Sequence, residues 1–500
     1  MAEWFKAAVL KTVGSETGPG VRIPLSPPIT SSDAIATVSR PRPWQRLSGM
    51  DPTKVFMWVA VPVGILLVAV TPPFQVPDEP NHFYRAYQVS DGQVVSQRTS
   101  TSVGGQLPQS LPQVAGTVMG NVPFNPHVKQ NLDAWAHAFD IPLLPRDRVE
   151  VDFPNTALTG PIAYLPQVLG IELGRLVGVS TLMLFYWGRI ANVLLCVALT
   201  VCAIRWLAVR RWTCVLLSLL PMTLFVRSSV SSDGPTLALT MLALAICLQP
   251  ADFETPRVHP TVPWLLFGVA LLLAFGKPPY GAVTFLALAI PPRFLGGTKR
   301  YVSMMLALTL MFVTAQGAWA LALRGKTAVS APGADPQAQT AFVVDHPGDA
   351  AALLVSDLVR SAPVLTHQSL GVLGWLDAPI PSSVAVFLGL MLVLVAFGEP
   401  GLPATLVGFR WLGIGIFGVG TLTLLVMNYL WWTPPGSSHV EGIQGRHLLP
   451  LVPFLFVSIN PPTWIARPLS RVRPVCVIAF LITSVTITVL TVVNRYYLDR

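Results

Sequence analysis

Uncharged apolar runs of about 16 to 23 residues recur along this chain, each long enough as a helix to cross a ~30 Å hydrocarbon core. They include residues 55–70, 234–249, 301–323, 381–398, 411–431 and 474–493. In lipid every backbone N–H and C=O must be satisfied within the segment, so such runs have to be helices. Composition agrees. Charged residues make up 11% of the 500 residues and hydrophobic ones 52%, whereas soluble domains carry about a quarter charged residues. The pattern predicts an all-α polytopic membrane protein with about eleven spans, or twelve if one further segment crosses.

A net charge of +9 would suggest nucleic acid in a soluble chain. Here the cations mark topology instead. Seven Lys/Arg precede or include Lys54, and three each fall in 205–211, 293–300 and 467–473. Clusters of this kind beside spans lie on the cytoplasmic side, and no nucleic-acid partner is expected. The five cysteines all lie in or beside spans, with neither metal spacing nor a disulfide framework, and read as small core hydrophobes.

Positive-inside assignment then orders the chain. Residues 1–54, rich in Pro, Ser and Thr with a short amphipathic stretch at 4–13, are expected to be a disordered cytoplasmic tail. Residues 55–323 form a membrane module whose first outer loop, 72–180, is long. A second outer loop covers 324–380, and 381–500 supply the last helices. Within this scheme the spans include 181–205, 213–229, 232–249, 262–276, 279–292 and 448–463. Residues 158–177 are apolar but hold Pro161, Pro166, Glu172 and Arg175. A full crossing there would strand Arg205, Arg210 and Arg211 outside, so an interfacial or re-entrant helix is expected, with Arg189 either pairing Glu172 or serving an anionic site.

The unusual polar residues then collect on the outer side. Asp78 and Glu79 sit between Pro77 and Pro80, followed by His82, Tyr84 and Arg85. Prolines stiffen the backbone that presents the carboxylates. One carboxylate can act as a general base, although a helix cap leading into an aromatic interfacial helix accounts for the same residues. Arg227, Asp233, Lys277, Tyr280, Trp375, Asp377, Gln444, Arg446 and His447 fall on the same side. Outer cations at span ends (Arg227, Lys277, Arg446) run against the positive-inside trend, and an anionic lipid headgroup would explain them. No Gly-rich phosphate loop occurs. No cofactor is expected; a divalent metal is compatible with such a site but has no ligand motif.

These stretches carry a resemblance. Asp78-Glu79-Pro80-Asn81-His82-Phe83-Tyr84, Phe153-Pro154-Asn155-Thr156, Ser231-Ser232-Asp233, Lys277-Pro278-Pro279-Tyr280, Gly374-Trp375-Leu376-Asp377 and Gln444-Gly445-Arg446-His447 resemble those of bacterial multi-pass membrane proteins of unknown function that are considered similar to GT-C-type glycosyltransferases. The Asp-Glu stretch is also similar to the Asp-Glu motif of protein O-mannosyltransferases, although Pro80-Asn81 is inserted within that spacing. The resemblance implies a GT-C-like bundle that uses a polyprenyl-phosphate-linked sugar donor at the extracytoplasmic face of the cell membrane. It implies Asp78, or else Glu79, as the catalytic carboxylate. The charge pattern adds Arg446, Lys277, Arg227 and Arg85 as donor phosphate ligands. His82, Tyr84, Asp233, Tyr280, Trp375, Asp377, Gln444 and His447 are expected to bind substrate or hold the site. The acceptor would be an envelope glycan, lipid or protein, with membrane lipids as the other partner. A lipid-linked glycan flippase and a non-catalytic assembly subunit are the alternatives. A flippase calls for polar residues at several depths, whereas these gather at one face.

Overall fold

The computed structural model describes residues 49–249, 260–326, 331 and 333–499. The expected tail up to residue 48, with its amphipathic stretch, lies outside the described residues.

Among the described residues, five helices are long and apolar enough to cross a membrane: Pro52–Val70, Thr181–Trp206, Thr298–Ala322, Val407–Trp432 and Thr463–Tyr496. Four shorter apolar helical segments join them: Asp233–Cys247, Val262–Gly276, Pro279–Ala289 and Ser382–Gly398. Several anticipated spans are therefore less regular than their hydropathy suggested. The segment 213–229 is two helices, Arg211–Ser218 and Pro221–Arg227, because Pro221 opens a new helix. The segment 448–463 holds one α-helix of 6 residues, Val452–Val457.

Residues 158–177 resolve into a 3-10 turn, Pro161–Tyr164, and the helix Leu165–Val177 of 13 residues. Such a helix reaches about 20 Å, short of a ~30 Å core. It turns back on Thr181–Trp206 through Gly170, where a Cβ would stand 2.3 Å from the Trp187 carbonyl oxygen. Leu169, Leu173, Leu176 and Val177 remain exposed on its other side. That amphipathic division suits a helix lying along an interface.

Two departures from the all-α expectation are small and local. Gln97–Arg98, Val103–Pro108 and Arg148–Asp152 form an antiparallel sheet, with Gly104 opposite Asp152 and Pro108 opposite Arg148. Val372–Leu373 pairs with Ala378–Pro379. Run length alone misses strands this short, and Val103–Pro108 carries two glycines that lower its strand propensity. Gly104 is there for space, since a Cβ would stand 1.8 Å from the Val151 carbonyl oxygen. The second long segment is no open loop either. Pro336–Asp345 and Pro347–Gly371 are helices, the latter 25 residues long.

Polar contacts gather at two separate ends of the bundle. At one end Glu399 accepts from the Trp212 and Thr213 N–H groups at 2.8 and 2.9 Å, capping Arg211–Ser218, while Arg210 is bonded to the carbonyl oxygens of Ala396, Glu399 and Ile459. The opposite end of Ser382–Gly398 leads into the Trp375–Asp377 turn, beside which Asp78 and Arg446 lie.

Candidate functional site

Asp78 precedes the helix Glu79–Ser90 with φ of 62°, a left-handed conformation that Asp tolerates better than most residues. Arg446 fixes it there. The Arg446 guanidinium donates to the Pro77 carbonyl oxygen at 3.0 Å and is bonded to the Asp78 carboxylate. Asn155 donates to the other Asp78 oxygen at 2.7 Å and accepts from Asn81 at 2.5 Å. Arg446 rides on the turn Gly445–His447, which leans on the helix Pro347–Gly371. The Gly445 N–H donates to Gln368 at 2.8 Å, and the Ser369 hydroxyl donates to the Gly445 carbonyl oxygen at 2.8 Å. Only glycine allows this approach, because a Cβ at 445 would stand 2.3 Å from the Leu365 carbonyl oxygen.

Asp233 completes the cluster. It is ion-paired to Lys277, and its second oxygen stands 3.6 Å from Arg446 Nε. Two carboxylates and two cations thus alternate, and their formal charges cancel. His82 accompanies them, with Nδ1 2.7 Å from the Tyr164 hydroxyl and Nε2 3.3 Å from the Ser231 hydroxyl. Burial lowers the His82 pKa to about 3, and burial followed by Arg446 lowers that of His447 to about 4, so both imidazoles are neutral at pH 7. Burial works against charge on Asp78, but the Arg446 guanidinium prevails and holds the carboxyl below its usual range.

Two cavities meet here. A polar pocket of about 310 Å³ is lined by Asp78, Phe124, Asn155, Trp375, Gln444 and Arg446, among others. An apolar groove of about 850 Å³ runs past Trp319, Leu321, Arg324, Leu424 and Trp431. Asn155, Asn428, Trp432 and His447 line both. The groove lies at the ends of Thr298–Ala322 and Val407–Trp432, two helices long enough to span a membrane.

The other expected site residues divide. Lys277 and Tyr280 line the groove, and the Tyr280 hydroxyl donates to the His447 carbonyl oxygen at 2.7 Å. Trp375 borders the pocket and donates from its ring N–H to the Phe74 carbonyl oxygen at 3.1 Å. Gln444 donates its N–H to His447 Nδ1 at 3.3 Å.

Glu79, however, is fully buried. Both of its oxygens accept from Arg189, at 2.8 and 2.7 Å, and the Val230 N–H adds a third bond at 3.2 Å. Arg189 therefore pairs with Glu79, while Glu172 pairs with Arg175. Arg85 and Arg227 lie away from both cavities. The Arg85 guanidinium is spent on Gln88 and on the carbonyl oxygens of Val94 and Thr159, and Arg227 stacks over Phe56 at 5.3 Å. Tyr84 packs against Phe153. Asp377 accepts from the Trp375 N–H at 3.0 Å and from Arg495 at 2.7 Å, bracing its turn.

Asn155, Phe124, Asn428, Trp432 and Arg324 were not singled out from the sequence as site residues. Asn155 belongs to the Phe153-Pro154-Asn155-Thr156 stretch, where only its amide chemistry marks it. Arg324 closes an apolar run and reads as an ordinary span-end cation. Among the described residues, no group of three or more His, Cys, Asp or Glu is placed to hold a metal ion.

Residues 62–455 match the pattern of a family described as "Predicted membrane protein (DUF2142)". The chain belongs to that family. It is a membrane protein with several apolar helices, and the match takes in every residue of the Asp78–Arg446–Asp233–Lys277 cluster. No curated protein and no solved structure matches the chain.

Proposed function

We propose that this membrane protein is a GT-C-like inverting glycosyltransferase that uses a polyprenyl-phosphate-linked sugar at the extracytoplasmic face of the cell membrane. The observation that carries the reading is the junction itself. An ionised carboxylate, Asp78, lines a polar pocket that shares four wall residues with an apolar groove at the ends of two span-length helices. Such a groove suits a prenyl chain, and the pocket suits the hydroxyl that attacks.

In the proposed reaction the acceptor oxygen forms a bond to the anomeric carbon as the bond from that carbon to the phosphate oxygen breaks. The departing electron pair stays on the prenyl phosphate, and the acceptor proton passes to Asp78. A carboxylate held below its usual pKa is a weak base. That suffices when the proton moves late, because an oxygen already bonding to the anomeric carbon is strongly acidic. Arg446 and Lys277 keep the carboxylates ionised. Arg324, with no carboxylate partner among the described residues, supplies the free positive charge along the groove for the leaving phosphate. Glu79 acts at a distance, by anchoring the start of the Asp78 helix to Arg189.

The test is transfer by the purified full chain from a polyprenyl-phosphate sugar, together with mass analysis of envelope glycans from cells with and without the gene. Unchanged glycans, with no donor-dependent release of polyprenyl phosphate, would overturn the reading.

A further inference from the structure

The polar pocket has a composition of its own. Phe124 is 67% exposed, and its ring centroid lies 5.2 Å from that of Trp375. Trp432 supplies a third aromatic wall, while Asn155, Asn428 and Gln444 add amide groups. Backbone strain concentrates here as well. Five non-glycine residues have positive φ among the described residues, and three of them, Asp78, Phe124 and Leu376, line this pocket. Phenylalanine and leucine adopt that conformation only when the surroundings impose it, and such positions gather at functional sites.

We infer that this pocket is a subsite for one uncharged sugar ring. Flat aromatic faces meet the C–H faces of a sugar, and amides and a carboxylate meet its hydroxyls as both donors and acceptors. The size agrees, for about 310 Å³ stands at the small end of the ~300–1,000 Å³ of ligand pockets. The charge agrees too. Asp78 and Asp233 are already balanced by Arg446 and Lys277, so the cluster leaves no net charge for an acidic or basic ligand to meet. A bare peptide hydroxyl or an acyl-chain alcohol would leave the amides and aromatic faces unused.

The ring belongs either to the acceptor or to the donor's own sugar; this choice alone rests on the glycosyltransferase reading. The experiment is saturation-transfer NMR on the full chain in lipid nanodiscs. Methyl hexopyranosides and methyl pentofuranosides are the probes, with glycerol and a Ser/Thr peptide as comparisons. A glycoside of the panel should receive saturation on its C–H protons. Phe124→Ala, which removes an exposed ring, should weaken that binding roughly three- to tenfold, and so should Trp432→Ala. In the transfer assay, a Phe124→Ala rise in acceptor KM at unchanged donor affinity assigns the ring to the acceptor. Weakened donor binding instead assigns it to the donor, and either result supports the subsite. If no glycoside binds, if glycerol or peptide competes equally, or if both variants leave binding unchanged, the subsite is overturned while the transfer reaction stands or falls separately. Glycoside binding without any transfer would keep the subsite and remove the enzyme.

Discussion

Arg446 holds Asp78 at two points, the carboxylate and the carbonyl oxygen of the preceding Pro77, across 368 residues of sequence. The conformation of the candidate base is therefore set by a turn near the far end of the chain. Asp78 and Glu79, neighbours in sequence, are consequently separated in role: one faces a pocket, and the other is sealed against Arg189.

That separation gives the first prediction. Asp78→Asn should lose roughly 10²–10⁴-fold in turnover, the usual size of a general-base effect. Glu79→Gln leaves Arg189 buried with a neutral partner and should destabilise the fold by roughly 3–5 kcal/mol. Transfer assays and thermal unfolding in detergent, run on both variants, read the two effects. Near-wild-type transfer by Asp78→Asn would remove the base assignment.

The pH dependence follows from the cluster. Asp78 is depressed below 3.8, so its contribution to stability is complete above that value and fades only as pH falls through the lower folded value. Transfer should therefore hold level through neutrality, with no acid limb from this group above about pH 4. His82 behaves differently. Its pKa falls from 6.5 to about 3 on folding, so the unfolded chain takes up the proton first. Stability is full above 6.5 and declines as pH drops toward 3, by about 2 kcal/mol at pH 5. Unfolding measured from pH 7.5 to 4.5 should show this slope, and His82→Gln should flatten it.

Arg324 tests the groove. Arg324→Gln should weaken binding of the phosphate-bearing donor about ten- to a hundredfold, the range for a charge-assisted hydrogen bond of about 1.5–3 kcal/mol. The acceptor KM should be unaffected. Equilibrium binding of a polyprenyl-phosphate sugar to the nanodisc-embedded protein measures it, and unchanged affinity would take Arg324 out of the phosphate site.

Sidedness is the fourth prediction. Ser438 and Ser470 are both exposed and belong to opposite ends of the bundle. In a cysteine-free background, Ser438→Cys should react with a membrane-impermeant maleimide from outside intact cells, and Ser470→Cys only after permeabilisation. Equal labelling of both from outside would refute an extracytoplasmic Asp78 site.

Run length foretold helices such as Pro52–Val70 and Thr298–Ala322, because spanning lipid demands little more than enough apolar residues in a row. It could not foresee the break at Pro221 or the helices of 336–371, where tertiary packing rather than hydropathy decides. For the site, Asp78, Lys277 and Arg446 were legible as misplaced charges in an apolar chain, and the structure brings them together. Arg85 and Arg227 gave the same signal, yet their charges are absorbed by carbonyl oxygens and an aromatic ring. Nothing local distinguishes a guanidinium that meets a ligand from one that staples two segments. Asp233 drew notice beside a span, but its place between two cations depends on Lys277 and Arg446, 44 and 213 residues away.

The two closest neighbours of Gly445 are main-chain atoms, and that has a mechanical consequence. A methyl group there would press on the Leu365 carbonyl oxygen and, at 2.4 Å, on the Ser369 nitrogen, neither of which can rotate aside. The only relief is for the whole turn to retreat, carrying Arg446 with it and letting go of Asp78. The long helix behind the turn is thus an anvil for the proposed reaction centre: its own residues need never meet a substrate, yet in the proposed transfer a displacement of one peptide plane along it would be felt as a misaimed proton.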